Sequence, residues 1–222
     1  LPHSGDVLWS QTIAITALPV SASESERRFY RAYPLASADG VVVCPTPAGL
    51  LVAVDALTGA LLWAQPCDDV ETRQERLRGM QSIGPRPDIS NAAIVNLPLI
   101  VGSRVAYLPP QSMRLQCFDL QTGDRLWQAH REEQDSSSEQ VATATDDIVL
   151  VVGRRCRALR LDTGAEAWSV RFDSWPCGRG VRVGSQFLVP LTRGAISQLD
   201  LTTGRQVGLI EHRENFRGQV TD

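Results

Sequence analysis

Short apolar runs that suit β-strands recur along the chain, and each run is closed by a turn signal. Between residues 141 and 172 four such runs follow one another: VATAT, DIVLVV, RCRALRL and AEAWSVRF. These runs are rich in β-branched or aromatic residues and are separated by Gly or Asp, a pattern typical of short strands joined by tight turns. The pattern therefore predicts a unit of four short β-strands.

One motif, DLQTGDRLW at 119–127, returns along the chain in modified copies. Its glycine is Gly5, Gly59, Gly123, Gly164 and Gly204 in successive copies, at intervals of 54, 64, 41 and 40 residues. A basal unit of about 40 residues fits the last two intervals, and the first two carry roughly 14 and 24 extra residues. Repeated four-stranded units of this length are typical of the blades of a β-propeller.

The residues before each glycine predict a specific turn. Asp55, Asp119 and Asp200 lie four residues before the glycine, where a carboxylate can accept backbone N–H groups of the turn. The glycine itself can adopt the positive φ that such hairpin loops require. Arg160 replaces the Asp in one copy, and we expect the neighbouring Asp162 to substitute for it.

A tryptophan follows the glycine by four residues and begins the fourth strand of each unit. Trp9, Trp63, Trp127 and Trp168 hold this position in four copies, and Gly208 holds it in the fifth. Because burying one indole is worth roughly 3–5 kcal/mol, repeated tryptophans could dominate the contact between neighbouring blades. We interpret the motif as a structural device that joins blades.

The full pattern Ala-x-Asp-x-x-Thr-Gly-x-x-x-Trp, complete from Ala53 to Trp63, resembles the repeat of the pyrroloquinoline-quinone-like (PQQ-like) β-propellers. Cys117 and Gln198 depart from the Ala of that repeat, and Gly208 departs from the Trp. The resemblance implies an all-β fold of four-stranded antiparallel blades. The structural motif residues it assigns are Trp9, Gly59, Trp63, Gly123, Trp127, Gly164, Trp168 and Gly204.

We interpret residues 1–222 as a single propeller segment of about four blades plus one strand. The expected bounds are an outer strand at 5–15, blades at about 35–66, 90–131, 140–173 and 178–211, and insertions at 16–34 and 68–89. Since the family closes with seven or eight blades, we expect either a piece of a larger ring or a homodimer that completes one. A start at Leu1 without Met agrees with a mature or excised segment.

Composition narrows the classes of function. The formal net charge is −3 and the pI about 5.7, so no global basic field predicts nucleic-acid binding. Every basic side chain is Arg, which removes Schiff-base lysines and the lysine of a phosphate-binding loop. The longest apolar stretch, AAIVNLPLIVG from Ala92, is too short to span a membrane.

The family's cofactor chemistry is not carried over to this chain. The resemblance implies that quinone-dependent members place a vicinal Cys-Cys disulfide over the cofactor, a Trp beneath it, and calcium on Glu and Asn near a catalytic Asp. No Cys-Cys step occurs here, so we assign no catalytic, cofactor or metal residue and predict no cofactor; PQQ with calcium is the alternative. Trp175, in DSWPCG, is interpreted as a loop residue between blades. The three histidines share no metal-ligand spacing.

The five cysteines are an odd number, so at least one thiol is free or paired outside this chain. Cys44, Cys117 and Cys156 lie in predicted strands, where a buried, inert thiol is the default. Cys67 and Cys177 both follow a fourth strand, and a disulfide between them is the alternative reading.

Arginines concentrate in the second insertion, where DVETRQERLRGM also suits a short helix. Both insertions join a fourth strand to the next first strand, so they emerge at one end of the sheets. One interpretation is a set of solvated loops balanced by acidic residues such as Glu71 and Glu75. The other is an Arg-rich surface that holds an acidic peptide or polyanion. The candidate binding residues are Arg73, Arg76, Arg78 and Arg86.

A second basic run, GRRCRALRL, lies on a predicted third strand. Alternation places Arg155 and Arg157 on the face opposite Cys156, Ala158 and Arg160. We interpret this arginine-bearing face as solvated.

Three functions are compatible with these observations. The first is a non-catalytic binding or scaffold propeller, extracytoplasmic by resemblance to the family, whose Arg-rich insertions contact a protein, a peptide or an envelope ligand. The second is a portion of a PQQ-dependent quinoprotein dehydrogenase, and the third is a ligand-sensing ectodomain of a signalling protein. The missing Cys-Cys step favours the first over the second. Fold membership does not choose among them.

Overall fold

The computed structural model describes residues 6–14, 34–46, 49–67, 96–109, 112, 114–130 and 140–211. Within these residues every regular element is a β-strand, and the sixteen strands form four antiparallel sheets of four strands each. The all-β, four-bladed prediction is confirmed. No helix of the described segments is long and apolar enough to cross a membrane.

The strands follow one another as a simple meander in each sheet, which we call blades 1 to 4. Blade 1 contains β1 (Ala36–Ala38), β2 (Val41–Pro45), β3 (Leu50–Asp55) and β4 (Leu61–Pro66); blade 2 contains β5 (Leu99–Val101), β6 (Arg104–Tyr107), β7 (Arg114–Asp119) and β8 (Arg125–His130). Blade 3 contains β9 (Gln140–Ala144), β10 (Ile148–Val152), β11 (Arg155–Arg160) and β12 (Glu166–Arg171); blade 4 contains β13 (Val181–Val183), β14 (Gln186–Leu191), β15 (Ala195–Asp200) and β16 (Gln206–Glu211).

The meander fixes two ends of the stack. The Thr-Gly turns between the third and fourth strands lie at one end, which we call the motif end. The second strands end, the third strands begin and the fourth strands end at the other end, which we call the insertion end. The third and fourth strands of every blade also shift register at the same place, a bulge that increases the local twist.

The sheets pack face to face, and apolar side chains fill each interface. Val43 and Leu51 of blade 1 meet Val105 and Phe118 of blade 2, all of them 0–1% exposed. Equivalent clusters join blade 2 to blade 3 and blade 3 to blade 4. The central strands of blades 1 to 3 are therefore buried on both faces, which explains their nearly continuous apolar sequences, whereas those of blade 4 alternate between buried and partly exposed residues. The segment 6–14 covers the free face of blade 1.

Each motif tryptophan docks on the next blade, on the motif glycine that lies there. The indole of Trp127 donates Nε1–H to the carbonyl of Leu161 in blade 3, at 2.9 Å. Gly164 of the same turn has φ +72°, and a Cβ built on it would stand 2.5 Å from Cε3 of Trp127. The glycine is thus required twice, for the backbone conformation and for the space that the ring occupies. The same contact joins Trp9 to Gly59, Trp63 to Gly123, and Trp168 to Gly204.

The motif aspartates close their turns as the sequence indicates. The Asp55 carboxylate accepts N–H groups of Leu57 and Thr58, at 3.0 and 2.7 Å, and Asp119 and Asp200 repeat this arrangement. Hydrogen bonds led by the Thr58 N–H hold the pKa of Asp55 below its ordinary value. The expectation for Asp162 was wrong: its carboxylate accepts the Thr163 hydroxyl, at 3.3 Å, and takes no turn N–H.

The prediction of a solvated arginine face on β11 was wrong for Arg157. Arg157 is only 7% exposed and lies on the face of blade 3 that meets blade 2. Its Nη1 and Nη2 both donate to the carbonyl of His130 at the end of β8, at 3.3 Å. Gln116 has the same role in the preceding blade, donating from Nε2 to the carbonyl of Cys67 at 2.8 Å. In both blades a polar side chain thus binds a backbone carbonyl at the C-terminal end of the preceding blade's fourth strand.

Candidate functional site

Among the described residues a cleft lies at the insertion end, between blades 3 and 4. It has a volume of about 320 Å³. Its walls come from the start of β9, from the β10–β11 turn and from the loop between β12 and β13. The lining residues are Gln140, Val152, Gly153, Trp175, Pro176, Cys177, Gly178 and Arg179.

Backbone pairing holds the loop that forms the outer wall. Thr192 donates its N–H to the carbonyl of Trp175 at 2.8 Å, and the Cys177 N–H bonds the carbonyl of Pro190 at 3.0 Å. Residues 175–177 therefore extend along β14 as an additional paired segment. Gly180 returns the chain to β13 with φ +76°, where a Cβ would stand 2.5 Å from the Phe187 ring. The loop is thus fixed by the sheet beneath it.

Two arginines flank the cleft. The Arg154 guanidinium carbon lies 4.9 Å from the ring centroid of Trp175, within the range of a cation–π contact. Arg179 donates from Nε and Nη2 to the carbonyl of Val141 on β9, at 3.1 and 2.9 Å. Burial lowers the pKa of Arg179 from its ordinary value. Neither arginine has a carboxylate partner among the residues that the structure describes.

The cysteines divide into one exposed thiol and four buried ones. Cys177 is exposed at the cleft, whereas Cys44, Cys67, Cys117 and Cys156 are buried. Cys67 follows β4 of blade 1, whereas Cys177 lies between blades 3 and 4, so the alternative of a Cys67–Cys177 disulfide was wrong. Burial raises the pKa of Cys117 and of Cys156 to about 12, which makes both thiols unreactive near neutral pH.

The binding residues expected from the sequence lie elsewhere. Arg73, Arg76, Arg78 and Arg86 fall outside the described residues, so their binding role stays a prediction. Trp175 lies in the loop between β12 and β13, as the sequence predicts, but the sequence did not indicate that this loop forms the wall of a cleft. The available sequence signal was the Trp-Pro-Cys step at 175–177, two residues before Arg179. Among the described residues no group of three or more His, Cys, Asp or Glu side chains could hold a metal ion.

Four meandering sheets joined by tryptophan–glycine contacts define this chain as a segment of a β-propeller built from PQQ-like repeats. The family model described as "Outer membrane protein assembly factor BamB" matches residues 2–169 and again 111–207. The chain belongs to that family, and the resemblance stated from its repeat is confirmed. No curated protein sequence matches the chain.

Solved structures agree on the fold. BamB from Moraxella catarrhalis is 22% identical with a TM-score of 0.55, over 79% of this chain and 48% of that one. A quinohemoprotein alcohol dehydrogenase from Pseudomonas putida HK5 is 16% identical with a TM-score of 0.55, over 82% and 34%. The computationally designed Ika4 protein is 14% identical with a TM-score of 0.54, over 76% and 89%. The chain thus spans about half of the BamB structure and a third of the dehydrogenase.

Proposed function

We propose that this domain is a non-catalytic binding or scaffold propeller that works outside the cytoplasm and contacts a protein partner through its insertion end. The observation that carries the proposal is the fixed cleft at that end, with arginines that lack an acidic partner within the described residues. Long connections on a rigid scaffold are where binding residues concentrate, and the strands on either side of the second insertion, β4 and β5, meet it at this end. The matching family is described as an assembly factor for outer membrane proteins, which supports a partner protein and an envelope location.

Site-specific photo-cross-linking in the full-length protein, expressed in its own host, tests this proposal. A photoreactive phenylalanine analogue at Arg76, in the second insertion, should form a discrete adduct with a partner. The same analogue at Thr203, in the exposed turn at the motif end of blade 4, is the matched control and should form none. Equal adducts from both positions, or none from either, would refute binding through the insertion end.

A portion of a quinoprotein dehydrogenase is the second candidate, supported by the similarity in fold to the quinohemoprotein enzyme. Titration of the protein with PQQ and calcium, followed by absorbance and by dye-linked alcohol oxidation, separates the two candidates. Saturable quinone binding with turnover would establish the dehydrogenase instead of the scaffold. The third candidate, a sensor ectodomain, predicts a signalling domain in the same open reading frame.

The proposal also includes a homodimer that completes a ring. In such a ring, blade 4 of one copy would precede blade 1 of the other and bring β16 to the Gly59 contact. Trp9 of the same chain already fills that contact, and its Nε1 donates to the carbonyl of Ala56 at 3.1 Å. A closed two-copy ring therefore requires segment 6–14 to move. Light scattering over a tenfold range of concentration would give the mass of a dimer, whereas a constant monomer mass would exclude the ring.

A further inference from the structure

We propose that the cleft beside Trp175 binds a short acidic segment of a protein partner, with one carboxylate on Arg179 and a neighbouring apolar side chain on the Trp175 ring. This inference rests on the proposed function and deepens it, because it names the chemistry of the segment that the insertion end would hold.

The cleft is preformed for such a ligand. Backbone hydrogen bonds at both Trp175 and Cys177 tie the outer wall to β14. The Trp175 side chain is 49% exposed, which is unusual for so large an apolar group, and Arg154 holds it from one side. Because wall and ring are already ordered, a ligand would pay little of the entropy that ordering a loop costs. The exposed ring and Pro176 then offer apolar surface next to polar groups.

The positive charge of Arg179 favours an anionic ligand in the cleft. Arg179 directs Nε and Nη2 to a neutral carbonyl, while its Nη1 makes no hydrogen bond within the described residues. Its lowered pKa has a single cause, desolvation of the cation, and a carboxylate would offset that cost. A carboxylate on Nη1 would gain a charge-assisted hydrogen bond. The Gln140 side chain also lines the cleft and can donate to the same group.

Size and overall charge favour a peptide over larger anions. A volume of about 320 Å³ lies at the lower end of the range for ligand pockets, sufficient for a few side chains. The chain has a net charge of −3, so it presents no extended basic field that would track a nucleic-acid backbone. Recognition would therefore depend on one local contact between charges and one aromatic contact.

Cys177 provides a direct assay, since it lines the cleft and is the exposed cysteine of the five. The rate at which a maleimide modifies Cys177 is measured against increasing concentrations of an acetylated, amidated hexapeptide of alternating Leu and Glu. We expect saturable protection of the thiol. The matching peptide with Gln in place of Glu, and free acetate, should protect far less at equal concentration. A Cys177→Ser protein gives the background.

Two variants tie protection to the named groups. Arg179→Gln should raise the peptide concentration that gives half-maximal protection about tenfold or more, because a charge-assisted hydrogen bond is lost. Trp175→Ala should raise this concentration as well. Because the Trp175 ring is half-exposed, this variant should still fold, and it remains informative if Arg179→Gln destabilises the protein. Arg205→Gln, on an exposed arginine at the motif end, should behave as wild type.

Several results would overturn the inference. These are no protection of wild type, equal protection by the Glu and Gln peptides, and undiminished protection in both Arg179→Gln and Trp175→Ala. Protection by acetate as strong as that by the peptide would mean a small-carboxylate site and would also overturn it. An Arg76 cross-link to a partner, combined with an unprotected Cys177, would leave the proposed function intact and remove only this inference.

Discussion

Removal of one motif tryptophan should weaken the interface between two blades, and Trp127 gives the sharpest test. Its side chain is 8% exposed and packs among Ala106, Leu115 and Val149 at the interface of blades 2 and 3. Trp127→Ala should cost about 3–5 kcal/mol for the lost packing. Leaving the Leu161 carbonyl without its donor adds about 1 kcal/mol. The total of about 4–6 kcal/mol is a large share of the 5–15 kcal/mol that stabilises a typical domain.

Urea unfolding followed by circular dichroism measures this cost, because the substitution itself alters the fluorescence signal. The same loss should lower the melting temperature by about 10–20 °C in a domain of this size. Trp127→Phe keeps most of the ring and loses the indole N–H, so it should cost about 1–2 kcal/mol. Trp175→Ala is the matched control, since this ring is 49% exposed and should contribute less than about 1 kcal/mol. Equal losses in Trp127→Ala and Trp175→Ala would refute the role of Trp127 in joining blades.

Three further predictions follow from the turns and thiols. Gly123→Ala should destabilise the protein more than Gly184→Ala. Both glycines have positive φ, but of the two only Gly123 would bring a Cβ against a tryptophan ring, at 2.6 Å. Unfolding curves of the two variants with equal midpoints would contradict this. Hydrogen bonds led by the Thr122 N–H lower the pKa of Asp119 in the folded state below its ordinary value of about 3.9. The stabilisation by Asp119 is therefore present at neutral pH and is lost as the pH falls through the folded pKa. The difference in stability between wild type and Asp119→Asn should shrink in acid, and a difference independent of pH would contradict this. A thiol reagent at pH 7 should modify one cysteine per native chain, Cys177, and reach Cys156 only on unfolding, which mass spectrometry of digests would verify.

The repeat made much of this fold predictable because its signals are local. Strand alternation, the Thr-Gly turn and the aspartate at Asp55 each act within one hairpin, so one sequence window contains both partners. The partner of each tryptophan was not predictable in this way. Trp63 contacts Gly123, which lies 60 residues further along the chain, and no pattern within blade 1 points to it.

The site and the buried arginine escaped prediction for a related reason. Alternation correctly separated Arg157 from Cys156, but it cannot tell which faces are covered when a strand is buried on both. The cleft assembles Gln140, the β10–β11 turn and Trp175 from separate stretches that only the packing of blades 3 and 4 brings together. Long-range packing, which local patterns do not encode, decided both outcomes.

The alanine of the family motif has its own physical cause, because it lies directly across from the tryptophan. The cross-strand pairs are Ala53 with Trp63, Cys117 with Trp127, Ala158 with Trp168, and Gln198 with Gly208. A small residue thus faces each indole, and the one large residue faces the glycine, whose missing side chain leaves room for the Gln198 carboxamide. In blade 4 the larger Gln198 therefore occupies volume that the missing tryptophan side chain at Gly208 leaves free, so the two departures from the repeat are coupled.

A double-mutant cycle in blade 3 tests this coupling. Ala158 is 0% exposed, so Ala158→Gln opposite an intact Trp168 should cost about 1–3 kcal/mol through overpacking. Trp168→Gly alone should cost about 3–5 kcal/mol. Together they recreate the pair of blade 4, and the glutamine gains the space that the ring leaves. The double variant should therefore be more stable than the sum of the single losses implies, by about 1 kcal/mol or more, in urea unfolding. Additivity within about 0.5 kcal/mol would mean that Gln198 and Gly208 are independent departures from the repeat.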